Sequence, residues 1–420
     1  MKSYLTFIVR CFRLSLAGTW RYHAWLAGLF VLMLLGLNAW CRQYVYGMGT
    51  TGMTDQVSWG IYIANFTFLV GVAASAVMLV IPVYVYKRKE LHHLVIFGEL
   101  LAVAAIIMCL LFIVADLGRP DQMHHMLLRF NFPISVLTWD VIALNGYLLL
   151  NLHIPGYMVY CAYKKREPTK KFIYPFVFVS IFWALSIHTV TAFLYSGLGG
   201  RPFWNSAVLA PRFLASAFAA GPAILILTLQ VIRRYTSWKV EHQSLLTLRS
   251  IVVVTMFINL FLLGSEVFTE FYTRSAHVAS AEYLFLGLHG HNALVPWIWT
   301  AITLNVVATV MLLMPASKRA NPAFLNTACV MLIIGIWIEK GMGLIIPAFI
   351  PSPLGEIVEY LPTLNESLIC FGIWATGFFI YSILVRITIP VLSGELTENT
   401  KDGQDKMADT KEPEANPATT

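Results

Sequence analysis

The chain is 420 residues long, with 58% hydrophobic and only 12% charged residues, about half the charged share of a soluble domain. Its apolar residues fall in runs of about twenty, the length a helix needs to cross the hydrocarbon layer, which excludes an ordinary water-soluble globule. The net charge of +7 is concentrated in alternate loops, so it marks membrane topology and excludes a nucleic-acid footprint.

Taken in chain order, the segment 1–22 with Arg10, Arg13 and Arg21 comes first. It is too long, and lacks the cleavage site, for a removable signal peptide, and is expected to be a cytoplasmic N-terminal segment. About ten spans follow, at roughly 23–41, 59–86, 94–115, 134–160, 172–195, 207–232, 250–272, 293–314, 323–347 and 366–390. Outer-membrane barrel strands would alternate apolar and polar residues, and these runs do not. The region 23–392 is therefore expected to be an all-α integral membrane domain of transmembrane helices. Basic residues gather at Lys87-Arg88-Lys89, Lys164 to Lys171, Arg233 to Arg249 and Lys318-Arg319. With the two ends of the chain, that side holds 22 of the 29 Lys and Arg residues. The positive-inside rule then puts both termini in the cytoplasm, as an even number of spans requires. The loops of the other side, 42–58, 116–133, 196–206, 273–292 and 348–365, are rich in aromatic, Gly, Pro and His residues, and binding is expected there. The tail 393–420 is polar, has no aromatic residue and is expected to be disordered.

Ionisable and polar groups inside spans are costly and mark function. In the second span Trp59 and Tyr62 stand at the outer end, while Gly71 and Ser75 are spaced for close helix packing. Glu99 lies near the cytoplasmic end of the third. Beyond that span comes Asp116-Leu-Gly-Arg119-Pro120-Asp121, followed by His124 and His125. A histidine titrates near neutrality and could hydrogen-bond a quinone carbonyl or pass a proton; a solvated interfacial loop is the alternative. In the fourth span Asp140, after Trp139, shares a helix face with Tyr147 and Asn151. That stripe suits a proton-accepting carboxylate at a buried headgroup, or an aspartate satisfied by a neighbouring helix. The turn Leu198-Gly-Gly-Arg201-Pro202 repeats the earlier Gly-Arg-Pro, and is read as recurrence by chance rather than duplication. His188 shares a face with Thr191 and Tyr195 in the fifth span, for a structural hydrogen bond or a proton path. No second histidine lies at a matching depth, so no haem is expected. In the seventh span Asn259, Glu266 and Glu270 share a face, with Arg274 beyond, suggesting a wet channel or a paired network. Glu339-Lys340 is expected to be a local structural ion pair. The six cysteines are scattered, so no iron–sulfur cluster is expected in this chain, and electrons would need a partner.

Four stretches resemble the NrfD/polysulfide-reductase (NrfD/PsrC) membrane-subunit family. They are YGMGTTGMTDQVSWGIYIANFTFLVGVAASAVML (Tyr46–Leu79), DLGRPDQMHHMLLRFNFPISVLTWDVIALNGYLLLNLHIPGY (Asp116–Tyr157), SGLGGRPFWNSAVLAPRF (Ser196–Phe213) and YLPTLNE (Tyr360–Glu366). The resemblance covers roughly 20–390, and ten spans match the longer branch of the family, with DsrP-like wording and the HybB and QrcD branches nearby. It implies NrfD-like helical bundles without a resident cofactor, menaquinone bound near the outer face of a prokaryotic cytoplasmic (inner) membrane, and respiratory electron transport. It also implies an iron–sulfur ferredoxin-like subunit docked on the outer loops. Cytochrome c, cytochrome b and cytoplasmic iron–sulfur subunits of a DsrMKJOP-like complex, working in sulfur metabolism, are the further partners implied. By motif, Asp140 and the pair His124 and His125 are the quinone-site candidates, with Arg119 and Trp59 beside them. Trp139, Tyr62, Asp116, His188, Glu266 and Glu270 complete the set of candidate binding residues. The competing readings are a secondary transporter, for which a site near mid-membrane is expected, and a structural anchor for a redox module.

Overall fold

The computed structural model describes residues 2–87, 91–236, 238–275, 278–315 and 321–399. Arg88, Lys89, Lys318, Arg319 and the tail from residue 400 lie outside these described residues.

Long apolar segments become helices because only a helix satisfies its own backbone in lipid. In chain order they are α1 (Lys2–Leu16), α2 (Trp20–Tyr46) and α3 (Ile61–Ala74), the last continued by Val77–Val80 and a π-helical turn Ile81–Val85. Next come α4 (His92–Asp116), α5 (Val136–Tyr163), α6 (Lys170–Ser196), α7 (Leu209–Tyr235) and α8 (His242–Thr273). Then follow α9 (Val278–Phe285), α10 (Val295–Leu313), α11 (Pro322–Trp337, continued by a π-helical turn Ile338–Met342) and α12 (Leu364–Leu392). Among the described residues, 9 helices are long and apolar enough to cross a membrane. The expected fourth crossing, α5, is a helix of 28 residues but is not among those nine. Thr138, Asp140, Asn145, Asn151 and His153 dilute its apolar character. At 1.5 Å per residue it is about 42 Å long, ample to cross, and Thr138, Asp140 and Asn151 are turned inward while Asn145 and His153 are exposed. The chain is a multi-pass, all-α integral membrane protein.

Packing sorts these helices into two rings. Helices α3, α4, α5 and α6 contact one another in a closed four-helix ring, and α7, α8, α10 and α11 form a second. α3 and α6 pack on α7, and the π turn of α11 packs on α3, so the rings share a seam. The small residues foreseen at Gly71 and Ser75 lie in that seam: Gly71 faces Ala217, and Ser75 fills the space beside Gly221. Without a hydrophobic force between helices in lipid, close approach of this kind is what holds them. Outside the first ring α12 packs on α4, and α2 lies along α12. A Cβ on Gly36 would meet the Gly372 backbone. Asn65 Oδ1 ties the parts together by accepting from the indoles of Trp337 (3.0 Å) and Trp374 (2.8 Å).

The two ends of the bundle differ. Residues 47–60, 117–135, 197–208, 274–275, 278–294 and 350–363 make a long-loop face. There Trp59, Tyr195, Trp204 and Phe349 pack ring against ring at the end of the seam, and the Trp204 indole donates to the Leu344 carbonyl at 2.8 Å. The opposite, basic face carries both ends of the described chain. Arg10 of α1 donates to the Tyr163 hydroxyl (3.2 Å) and the Thr397 carbonyl (3.0 Å), and the Glu398 amide donates to the Tyr163 carbonyl (3.0 Å). Residues 393–399 are thus packed onto α1 and α5, with Leu396 and Thr397 buried.

Candidate functional site

The two polar stripes of the first ring face each other. Asp140, Tyr147 and Asn151 recur along one face of α5, and His188, Thr191 and Tyr195 along one face of α6; all six are buried. They meet where the Thr191 hydroxyl donates to Asp140 Oδ1 at 2.7 Å. Asp140 is 1% exposed. A carboxyl so enclosed suits exchange of a single proton better than a standing charge, since burying an unpaired charge is expensive. One turn on, the Tyr195 hydroxyl bonds the Thr67 hydroxyl of α3 at 2.6 Å. Towards the basic face Glu99 of α4 is also buried, with one carboxylate oxygen lacking a hydrogen-bond partner among the described residues. Glu99 is close enough to Tyr147 of α5 to couple with it electrostatically.

At the long-loop end the ring closes on a second polar group. Tyr62 is wholly buried and donates to Gln43 Oε1 (2.7 Å), while Gln43 Nε2 donates to the Ala115 carbonyl (2.6 Å). Asp116, the last residue of α4, encloses one carboxylate oxygen without a hydrogen-bond partner among the described residues and is within electrostatic reach of Glu366. Glu366 accepts from the Tyr360 hydroxyl (2.7 Å) and from the amides of Gly52 and Thr363 (2.8 Å each). Burial, and then the Glu366 carboxylate, push the Tyr360 phenol above its ordinary range, so it stays a donor. Gln43, Tyr360 and Glu366 were not foreseen as site residues. Thr363-x-x-Glu366 is nevertheless a readable capping box, present as such at the start of α12.

Arg119, His124 and His125 lie elsewhere, in the exposed loop. Gly-Arg-Pro opens a 3₁₀ turn at Pro120–Gln122, and the same turn recurs at Pro202–Trp204. The Arg119 guanidinium grips Asp121 through two bonds (3.1 and 2.9 Å) and holds that carboxyl below the usual carboxylate range. His124 Nδ1 is 2.9 Å from the Asp121 carbonyl, and its ring lies 4.3 Å from that of His125. The histidine pair is in the open while Asp140 is enclosed. Trp139 points outward, its indole bonded to the Pro133 carbonyl at 2.8 Å and its ring against Phe132. Trp59 belongs to the aromatic cluster at the seam.

Glu266 and Glu270 belong to the second ring. Arg212 of α7 forms an ion pair with Glu266 and reaches Glu339 Oε1 at 3.0 Å. Asn305 of α10 donates to Glu339 Oε2 at 2.8 Å, and Asn259 of α8 lies 3.4 Å from both of its oxygens. The expected pairing of Glu339 with Lys340 is replaced by these bonds across the ring. Adjacent residues on a helix do not face each other: within the π turn Glu339 enters the second ring and Lys340 reaches the seam, where Nζ sits 4.7 Å over the Phe213 ring. Gly341 allows that turn to lie against the Ala64 carbonyl of α3. Arg212 and Asn305 were missed, although an Arg inside a span is itself a signal. Among the described residues no three His, Cys, Asp or Glu side chains form a group that could hold a metal.

Two four-helix rings, each with a buried polar interior, define a polytopic membrane protein. The chain belongs to the polysulphide reductase NrfD family, whose model matches residues 49–350. It is 26% identical, over 75% of each chain, to a Halobacterium salinarum protein provisionally named as a membrane subunit of dimethyl sulfoxide reductase. It is 22% identical to the Hdr-like menaquinol oxidoreductase integral membrane subunit of Archaeoglobus fulgidus, over 87% of this chain and 93% of the relative. It is also 22% identical to the menaquinone reductase integral membrane subunit of Nitratidesulfovibrio vulgaris, over 93% of this chain and 96% of the relative.

Proposed function

We propose that this chain is the quinone-reacting membrane subunit of a respiratory complex, exchanging electrons between menaquinone or menaquinol and a partner iron–sulfur subunit. The observation that carries the reading is the Asp140–Thr191 pair, a carboxyl enclosed within the first ring and held by one hydroxyl at 2.7 Å. A quinone is uncharged; its site needs apolar walls, a few polar groups and an acid–base group. Each quinone takes up two electrons and two protons to become the quinol, and the reverse reaction releases them. Asp140 would exchange one of those protons, with Thr191 positioning its carboxyl. Asp116 and Tyr62 would line the approach from the long-loop end.

Two of the relatives named above carry menaquinol or menaquinone in their names, which supports the same substrate here. The basic ends of the chain support a long-loop face on the outer side of the cytoplasmic membrane. The partner would dock on that face, over the exposed segment with Arg119, His124, His125, Phe130 and Phe132. A ferredoxin-like iron–sulfur protein fits the need for an electron carrier. Sulfur compounds are the proposed ultimate donors or acceptors.

Replacing Asp140 by Asn in the assembled complex is expected to lower quinone-linked turnover by about 10²-fold or more, the usual contribution of a positioned acid–base group. Undiminished turnover in a fully assembled D140N complex would refute the assignment.

A further inference from the structure

We infer that His188 and Lys340 hold a bound water at the seam between the two rings, and that this water passes protons between Asp140 and the Arg212–Glu266–Glu339 cluster. The inference rests on Asp140 being the proton-exchanging group proposed above.

Both side chains are buried where their chemistry makes burial expensive. His188 is 0% and Lys340 3% exposed, yet neither ring nitrogen of His188 nor Lys340 Nζ has a hydrogen-bond partner among the described residues. Unsatisfied groups this deep call for a partner. Between them lies a cavity of about 10 Å³ whose wall carries Thr67, His188, Ser216 and Lys340 and is otherwise apolar. That volume is on the scale of one water, and a cavity with several polar groups in its wall is the kind that holds one. A dry cavity would be lined by apolar groups alone.

The position matters as much as the volume. His188 is one turn from Thr191, whose hydroxyl donates to Asp140, so the first ring reaches the cavity through α6. Thr67 bonds Tyr195 on the same side. Across the cavity, Lys340 follows Glu339, which is bonded to Arg212 and Asn305. Within the π turn these neighbours part, Glu339 into the second ring and Lys340 to the seam. A proton leaving Asp140 then has a relay: His188, the water, Lys340, and the carboxylates of the second ring. No electron moves in this step; each group accepts one proton and releases another.

The test uses the whole complex with His188→Phe and Lys340→Met, compared with Asp140→Asn. Each of the first two is expected to lower the kcat of quinone-linked turnover at least about tenfold while leaving the KM for the quinone unchanged. Wild-type kcat in both, alongside an inactive D140N complex, would overturn the relay and leave the quinone site standing. Wild-type turnover in D140N would instead remove the premise and the relay with it. If either seam variant fails to assemble, a cryo-EM map of the wild-type complex decides. Density for a water within hydrogen-bonding distance of both His188 and Lys340 supports the site, and a dry cavity overturns it.

Discussion

At the scale of single residues, Arg212 is the side chain on which most depends. It is the cation facing both Glu266 and Glu339 inside the second ring. Removing one partner of a buried charge set leaves the others uncompensated, at about 3–5 kcal/mol. Arg212→Met is therefore expected to lower the melting temperature of the detergent-purified protein sharply, and an unchanged melt would contradict the network. Thr363 acts more modestly, capping α12 with Glu366. Thr363→Ala should cost about 1 kcal/mol and speed hydrogen exchange in the first turn of α12. The Arg119–Asp121 pair is exposed and contributes little to stability. Because Arg119 holds the Asp121 carboxyl low, the pair should persist as pH falls through the ordinary carboxylate range and be lost only below it. Carboxyl NMR of Asp121 reads this directly. Single residues were partly legible: Asp140, His188 and Glu266 stood out as polar groups in apolar runs. The pairings did not, because Thr191 with Asp140, Arg212 with Glu266 and Asn305 with Glu339 each join two different helices across space.

At the scale of elements, the helices were legible and their irregularities were not. Apolar runs marked every crossing, and the polar stripe of α5 was visible from its spacing. The π turn at Ile338–Met342, which carries Glu339 into the second ring and Lys340 to the seam, has no comparable signature. The helix α1 was read only as part of a cytoplasmic N-terminal segment. Its inward residues Arg10, Leu14 and Ser15 alternate with exposed apolar ones such as Leu5, Ile8 and Phe12, a pattern suited to the membrane surface. The pairing of α2 with α12 depends on the contact of Gly36 with Gly372. Gly372→Leu should pry α2 away, because overpacking at a backbone contact costs about 1–3 kcal/mol. Proteolysis in the 47–60 loop should then accelerate, and an unchanged cleavage rate would argue against that contact as the hold on α2.

At the scale of the whole molecule, charge sets the orientation and packing sets the interior. The basic residues of alternate loops predict that tags at both ends of the chain report from the cytoplasmic side. What no single sequence displays is which of ten helices close into which ring. That follows from small-residue seams and inward polar groups, which are recognisable only once the neighbours are known. The resulting molecule has a buried polar interior in each ring and a face of long loops, for which we propose proton exchange and a redox partner. The most direct measurement is to purify the tagged protein in mild detergent and identify both the co-purifying polypeptides and the extracted quinones. Menaquinone together with an iron–sulfur subunit at stoichiometric level is the predicted result. A stable, solitary polypeptide without quinone would contradict it.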